Sequence, residues 1–149
     1  MNDLAYMHLA IVQAQAAALL GEVPVGALVV LEDRILAAAG NRTITDCDPT
    51  AHAEVVALRD AARKTGNYRL IGAAIYVTVE PCAMCAGALV QARVARLIYG
   101  ADEPKGGAIR TCMRVLDAPA LNHRVEVISG VLAEESVQLL QSFFSARRG

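Results

Sequence analysis

Leu4, Met7, Ile11, Ala14 and Ala18 recur at three- and four-residue spacing ahead of Gly21, the pattern of an amphipathic helix ended by a glycine. The period then changes. Apolar runs over residues 25–31 and 34–38 flank the polar pair Glu32-Asp33 and predict two strands joined as a hairpin. Ala51, Val55, Leu58 and Ala62 return to helical spacing, so residues 50–65 are expected to form a second helix that stops at Gly66. Residues 74–79 read as a strand, 82–92 as a helix and 94–99 as a further strand, an order that implies parallel pairing of the two strands across the helix. Residues 102–121 mix polarities around Gly106-Gly107 and Pro119, which predicts a loop with a short helix at the mouth of a site. A strand at residues 125–128 follows, then a final helix whose buried face is marked by Val137, Leu140 and Phe144. The expected fold is α/β, a mixed five-stranded sheet with helices on both faces, in one domain spanning residues 1–149.

Composition changes this picture in one respect. At 55% hydrophobic and 19% charged, with mean hydropathy +0.38, the chain is oily for its length, and part of its surface is expected to be covered by a second subunit. The uncharged run over residues 4–21 is interrupted by His8, Gln13 and Gln15 and has no basic flank, so it is not expected to span a membrane. The start Met1-Asn2-Asp3 carries no positive charge, so no secretory signal is expected either. A net charge of −1 gives no general attraction to nucleic acid, so RNA binding would need a local patch. Candidate charges are Lys105, Arg110 and Arg114, then His123-Arg124, then Arg147-Arg148. Each is equally readable as an ordinary solvated charge.

The chemistry concentrates in His52-Ala53-Glu54 and Pro81-Cys82-Ala83-Met84-Cys85. Near the start of a helix, residues 52 and 54 leave the axis in different directions, so one can bind a metal while the other points past it toward water or substrate. Cys82 and Cys85, three apart after a proline suited to a helix start, form a two-thiol clip near a positive dipole end. One imidazole and two thiolates leave a fourth position of a tetrahedral zinc open, as in catalytic sites. A Cys-x-x-Cys pair alone could instead be a redox pair or half of a four-cysteine zinc site. Cys47 and Cys112 are single and far apart, supply no second clip, and are expected to be small buried residues. A metal-type clip beside unpaired cysteines suits a reducing cytoplasm.

The two motifs stand within a longer set of segments: Glu22 to Ala27, Asn41-Arg42, Asp48 to Glu54, Asn67 to Leu70, Glu80 to Gly87, Asn122 to Glu126, and Phe143-Phe144 with Arg147-Arg148. Together they resemble the zinc-dependent deaminases of the cytidine deaminase-like superfamily, and within it the tRNA-specific adenosine deaminases. The resemblance implies a three-layer fold and hydrolysis of adenosine to inosine at the wobble position of a transfer RNA, an arginine acceptor. It implies one zinc per subunit on His52, Cys82 and Cys85, with Glu54 carrying a proton from the attacking water to ring N1 and then to the departing amine. Asn41, Val25 and the backbone near Ala53 and Cys82 would hold the nucleoside. Glu103, Lys105, Asn122, His123, Arg124, Phe144 and Arg147 would meet the anticodon loop, partly across a homodimer interface. Over residues 102–111 the match loosens, because Ile109-Arg110-Thr111 stands where the family shows small residues. Deamination of a free base or nucleoside, such as guanine, cytosine or cytidine, would use the same three ligands and glutamate. A non-catalytic zinc protein would need a fourth ligand.

Overall fold

The runs that are apolar without alternation become the centre of the sheet, because a strand covered on both sides needs apolar residues on both. The computed structural model describes residues 1–148. After helix α1 (Asp3–Leu19), strands β1 (Gly26–Leu31) and β2 (Arg34–Gly40) form the expected hairpin, with Glu32 and Asp33 both at positive φ in its turn. Then come α2 (Ala53–Thr65), β3 (Ala74–Val79), α3 (Ala83–Ala92), β4 (Arg96–Ala101), a 3-10 turn at Val115–Asp117, β5 (Glu126–Ile128) and α4 (Ala133–Arg148). The sheet order is β2-β1-β3-β4-β5. β1 is antiparallel to β2 and β3, whereas β3–β4 and β4–β5 are parallel, as the crossover through α3 requires.

Alternation along each central strand divides two cores. Ala27, Val29, Ile75, Val77, Leu97 and Tyr99 pack with Ala53, Ala57, Leu58 and Ala61 of α2 and Ala86 and Leu89 of α3. Leu28, Val30, Ala74, Tyr76 and Ile98 face the other way, onto Tyr6, Met7 and Ala10 of α1. The result is the three-layer arrangement that the resemblance implies. Among the described residues, no helix is long and apolar enough to cross a membrane.

Both terminal helices are rotated from their sequence-based faces. In α1, Met7, Ile11 and Ala14 are buried as expected, but Leu4 is exposed and Ala18 only half-buried, while Tyr6, Ala10 and Ala17 complete the face. In α4, Val137 and Phe144 are exposed, Leu140 is half-buried, and Ser136 and Phe143 are the buried residues. Both helices approach a glycine of the sheet closely. Ser136 Oγ sits 3.0 Å from where a side chain at Gly100 would begin, so a small residue must face the sheet there. Cys47 and Cys112, expected to be buried, are both exposed. They fall in surface loops, Cys47 in a turn at positive φ and Cys112 with its thiol donating to the Pro104 carbonyl at 3.2 Å.

Gly26 sets the fit of α1 on the sheet. A Cβ at this position would overlap the Ala10 carbonyl oxygen and lie 2.6 Å from the Ala14 amide nitrogen. Gly26→Ala is therefore expected to destabilise the fold by about 3 kcal/mol in urea unfolding, the scale of an overpacked core. A loss under about 0.5 kcal/mol, the range of an ordinary surface substitution, would contradict this reading of the α1 contact.

Candidate active site

Two helix starts meet at one end of the sheet. β2 and β3 run in the same direction, each antiparallel to β1 between them, so the segments leaving their C-terminal ends emerge at one edge. His52 is the N-cap of α2 and Cys82 the N-cap of α3, both in extended conformation and neither using its side chain as a cap. The helices thus begin later than the pattern of residues 50–65 and 82–92 suggested, and Pro81 precedes the cap rather than occupying the first helical position. Cys85 lies one turn further, fully buried. His52 Nδ1 is 3.6 Å from the Cys82 sulfur and 3.5 Å from the Cys85 sulfur.

Those distances test the fit of a metal. A nitrogen at about 2.0–2.1 Å and a sulfur at about 2.3 Å from a tetrahedral zinc lie about 3.6 Å from each other. His52, Cys82 and Cys85 therefore fit zinc as they stand. They are the one group of three or more His, Cys, Asp or Glu donors so gathered among the described residues.

Held this close, the donors share protons. The Cys85 thiol donates toward Cys82, and with His52 alongside it lowers Cys82 to about 3. The same bond, with burial, pushes Cys85 well above the usual thiol range. The hydrogen bond to Cys82 raises His52. A bound cation would displace these protons. Glu54, the second residue of α2, is 4% exposed, and burial raises its carboxyl against the opposing pull of its own backbone amide and the His52 charge.

A cleft of about 240 Å³ joins Val25, Asn41, His52, Glu54, Cys82 and Glu103, with Val23 and Val79 adding apolar wall and Glu80 at its margin. The structure thus gathers at one site the expected metal, proton-transfer and nucleoside-contacting side chains. The backbone at buried Ala53 is part of the same helix start. Lys105 is exposed on the Glu103 loop, its amide donating to Glu103 Oε1 at 2.8 Å. The other expected RNA contacts are not among the lining residues. His123 Nε2 is 2.6 Å from the Val94 carbonyl. Arg124 donates to the Leu116 and Ala118 carbonyls at 3.3 and 3.0 Å. Arg147 lies 3.6 Å over the Phe143 ring and reaches the Gly21 carbonyl. Asn122 and Phe144 are exposed. A larger groove of about 480 Å³ is lined by the pairs Arg42–Asp46, Arg59–Asp48 and Arg63–Asp60 and holds no His or Cys.

Two buried glutamates went unread in the sequence as structural parts. Glu22 is fully buried and accepts from the Thr45 amide and hydroxyl, both at 2.6 Å, and from the Ile44 amide at 3.3 Å, fixing the loop that follows Asn41. Glu80 does the same for residues 103–111. Burial alone would raise its carboxyl, but donors from Arg110, Thr111 and Glu103 outweigh that and lower it to about 2. A signal was available: each is a lone carboxylate in an apolar run, Glu22 before Val23-Pro24-Val25 and Glu80 between Val79 and Pro81.

Glu22→Gln would point an amide NH₂ at hydrogen-bond donors and is expected to cost about 2–3 kcal/mol at pH 7. Burial opposes ionisation of Glu22, yet the Thr45, Ile44 and Thr43 donors hold its carboxyl below the ordinary 4.5. Its contribution is therefore complete above pH 4.5 and lost as pH falls through the lower folded value. Urea unfolding of both proteins from pH 7 to 3 should show the difference shrinking in acid; a pH-independent difference would refute the assignment.

Residues 1–148 match the family described as MafB19-like deaminase. The chain is 48% identical over 147 residues to the tRNA-specific adenosine deaminase of Haemophilus influenzae, covering 98% of this chain and 85% of that one. It is 46% identical over 143 residues to the enzyme of the same name from Agrobacterium fabrum, covering 96% and 94%. A solved structure from studies of A-to-I editing by tRNA:A34 deaminases superposes with a TM-score of 0.89 at 46% identity, over 91% of this chain and 99% of that chain. With this agreement over nearly its whole length, the chain belongs to the tRNA-specific adenosine deaminase family, within the MafB19-like deaminases.

Proposed function

We infer that the chain converts adenosine to inosine hydrolytically at the wobble position of a transfer RNA, an arginine acceptor, with one zinc per subunit on His52, Cys82 and Cys85. The hydrolytic zinc chemistry rests on Glu54, a buried carboxyl in the cleft with His52 and Cys82 and beside the three donors at zinc-ligand spacing; the tRNA substrate is supported by the near full-length likeness to tRNA-specific adenosine deaminases. When bound, zinc acts as a Lewis acid that makes water a nucleophile at neutral pH. Glu54 takes a proton from that water and delivers it to ring N1, so that C6 becomes the electrophile. The water oxygen would bond to C6, and Glu54 would carry a second proton to the exocyclic amine as the C6–N bond breaks. Adenosine and water are consumed, and inosine and ammonia are released.

Val25, with Val23 and Val79, packs the base and limits bulk water, while the Asn41 amide can both donate to and accept from the nucleoside. A cleft of about 240 Å³ suits one base and not a stacked strand, so the target nucleotide enters splayed out of its loop. Glu103 and Lys105 form the nearest wall for flanking nucleotides. Asn122, His123, Arg124, Phe144 and Arg147 are the outlying side chains that would meet RNA, with Arg124 and Arg147 exposed beside the carbonyls they bond.

A homodimer is supported by the apolar groove of about 360 Å³ between α2 and α3, where Leu58, Ala62, Tyr68 and Ala88 line an opening suited to a second copy. A metal-type thiol pair beside the unpaired Cys47 and Cys112 suits a reducing cytoplasm. Sedimentation equilibrium reads the first point directly, and a monomer at assay concentrations would remove it.

The direct assay offers zinc-loaded protein an anticodon stem-loop with adenosine at the wobble position, the same adenosine in continuous duplex, and free guanine, cytosine and cytidine. Inosine should form in the stem-loop and not in the duplex, and no xanthine, uracil or uridine should form from the free guanine, cytosine and cytidine. Glu54→Ala should keep its zinc and lose at least about 10²-fold in turnover, whereas His52→Ala, Cys82→Ser or Cys85→Ser should lose metal and activity together. Rapid deamination of a free base with the stem-loop untouched would replace this reading with that of a small-molecule deaminase.

A further inference from the structure

We propose that Glu80 is a positioning residue for RNA selection, fixing the 103–111 wall of the cleft to the strand end that carries Cys82. Resting on the functional reading above, the inference assigns this carboxylate the substrate-facing geometry and no part in proton transfer. Glu80 is 3% exposed. Its Oε2 accepts from the backbone amides of Ile109, Arg110 and Thr111 at 3.0, 2.8 and 3.0 Å. Its Oε1 accepts from the Glu103 amide at 3.0 Å and from the Thr111 hydroxyl. The main chain adds a second tie, since the Ala108 amide donates to the Pro81 carbonyl at 2.9 Å.

Several consecutive amides converging on one carboxylate form an anion nest, here filled by the protein itself. The approach is close enough that a Cβ on Gly107 would collide with Glu80 Oε1, so a glycine there admits the carboxylate. These bonds join the wall to residues 80–82. Ile109-Arg110-Thr111 departs from the small run that the family shows, yet all three amides point at Glu80. The tether acts mainly through backbone amides, with the Thr111 hydroxyl as its one side-chain donor. Glu103, held at one end of it, faces the cleft.

The test is Glu80→Gln in the full, zinc-loaded chain. Glutamine keeps the shape but replaces one acceptor with a donor, so one end of the nest opposes donor to donor. Zinc content should stay at the wild-type level. Amides of Ile109, Arg110 and Thr111 should exchange with deuterium at least about tenfold faster, the scale of one lost charge-assisted bond. KM for the wobble-adenosine stem-loop should rise about tenfold while kcat falls by no more than about threefold. A purely structural role would lower Tm and leave KM of the folded protein unchanged. If Glu80→Gln does not fold, Thr111→Val, which removes one hydroxyl donor, should raise KM about two- to threefold, and a wild-type KM in that variant overturns the inference. Faster exchange with unchanged KM, or a raised KM with unchanged exchange, overturns it while leaving the functional reading intact. A wild-type enzyme that ignores the stem-loop overturns the functional reading and this inference with it.

Discussion

The meeting of two helix N-termini over the C-terminal ends of β2 and β3 is the constraint on which the site depends. An imidazole and two thiols stay about a tetrahedral edge apart only if α2 and α3 start side by side at the same height. The sheet imposes that height through the shared direction of β2 and β3. Small residues set the depth. Ala53, Ala57 and Ala61 of α2, with Ala86 of α3, are fully buried and let both axes approach the strands. Both helix starts also offer partial positive charge, which favours thiolate at Cys82 and opposes part of the desolvation of Glu54.

Rigid donors alone would leave the cleft undefined, because its other walls are loops. Glu22 and Glu80 supply what secondary structure does not. Each is a buried anion satisfied by backbone amides and threonine hydroxyls and not by a cation. Burying a carboxylate is costly unless every lone pair finds a donor, and here the donors belong to the segments that must be held. The loop after Asn41 and the loop after Glu103 thus become extensions of the scaffold, and Asn41 and Glu103 face the metal site from fixed positions. The same logic explains why Arg124 bonds the carbonyls of Leu116 and Ala118, while His123 ties the connection to Val94 ahead of β4. A long connection with little secondary structure needs internal donors to satisfy its backbone.

The central elements were legible because their causes are local. Unbroken apolar strands, the Glu32-Asp33 turn, the parallel crossover and the spacing of His52, Glu54, Cys82 and Cys85 all appear in short windows. The misread features have non-local causes. The close approaches of α4 to Gly100, where Ser136 faces it, and of α1 to Gly26 join segments far apart in sequence. Composition favours burial of Cys47 and Cys112, whereas loop position exposes them. The lone carboxylates Glu22 and Glu80 stand out in their apolar runs, but most of their partners are backbone amides, which carry no sequence identity, so the loops they hold were not legible.

X-ray absorption at the zinc edge measures the central claim most directly, that three protein donors hold the metal and leave a position for water. The account predicts two sulfur scatterers at about 2.3 Å and two nitrogen or oxygen scatterers at about 2.0–2.1 Å, with one light scatterer exchanged when a small anionic ligand is added. A third sulfur, from Cys47 or Cys112, or a shell that stays unchanged on adding such ligands, would mark the site as closed and structural and contradict the account.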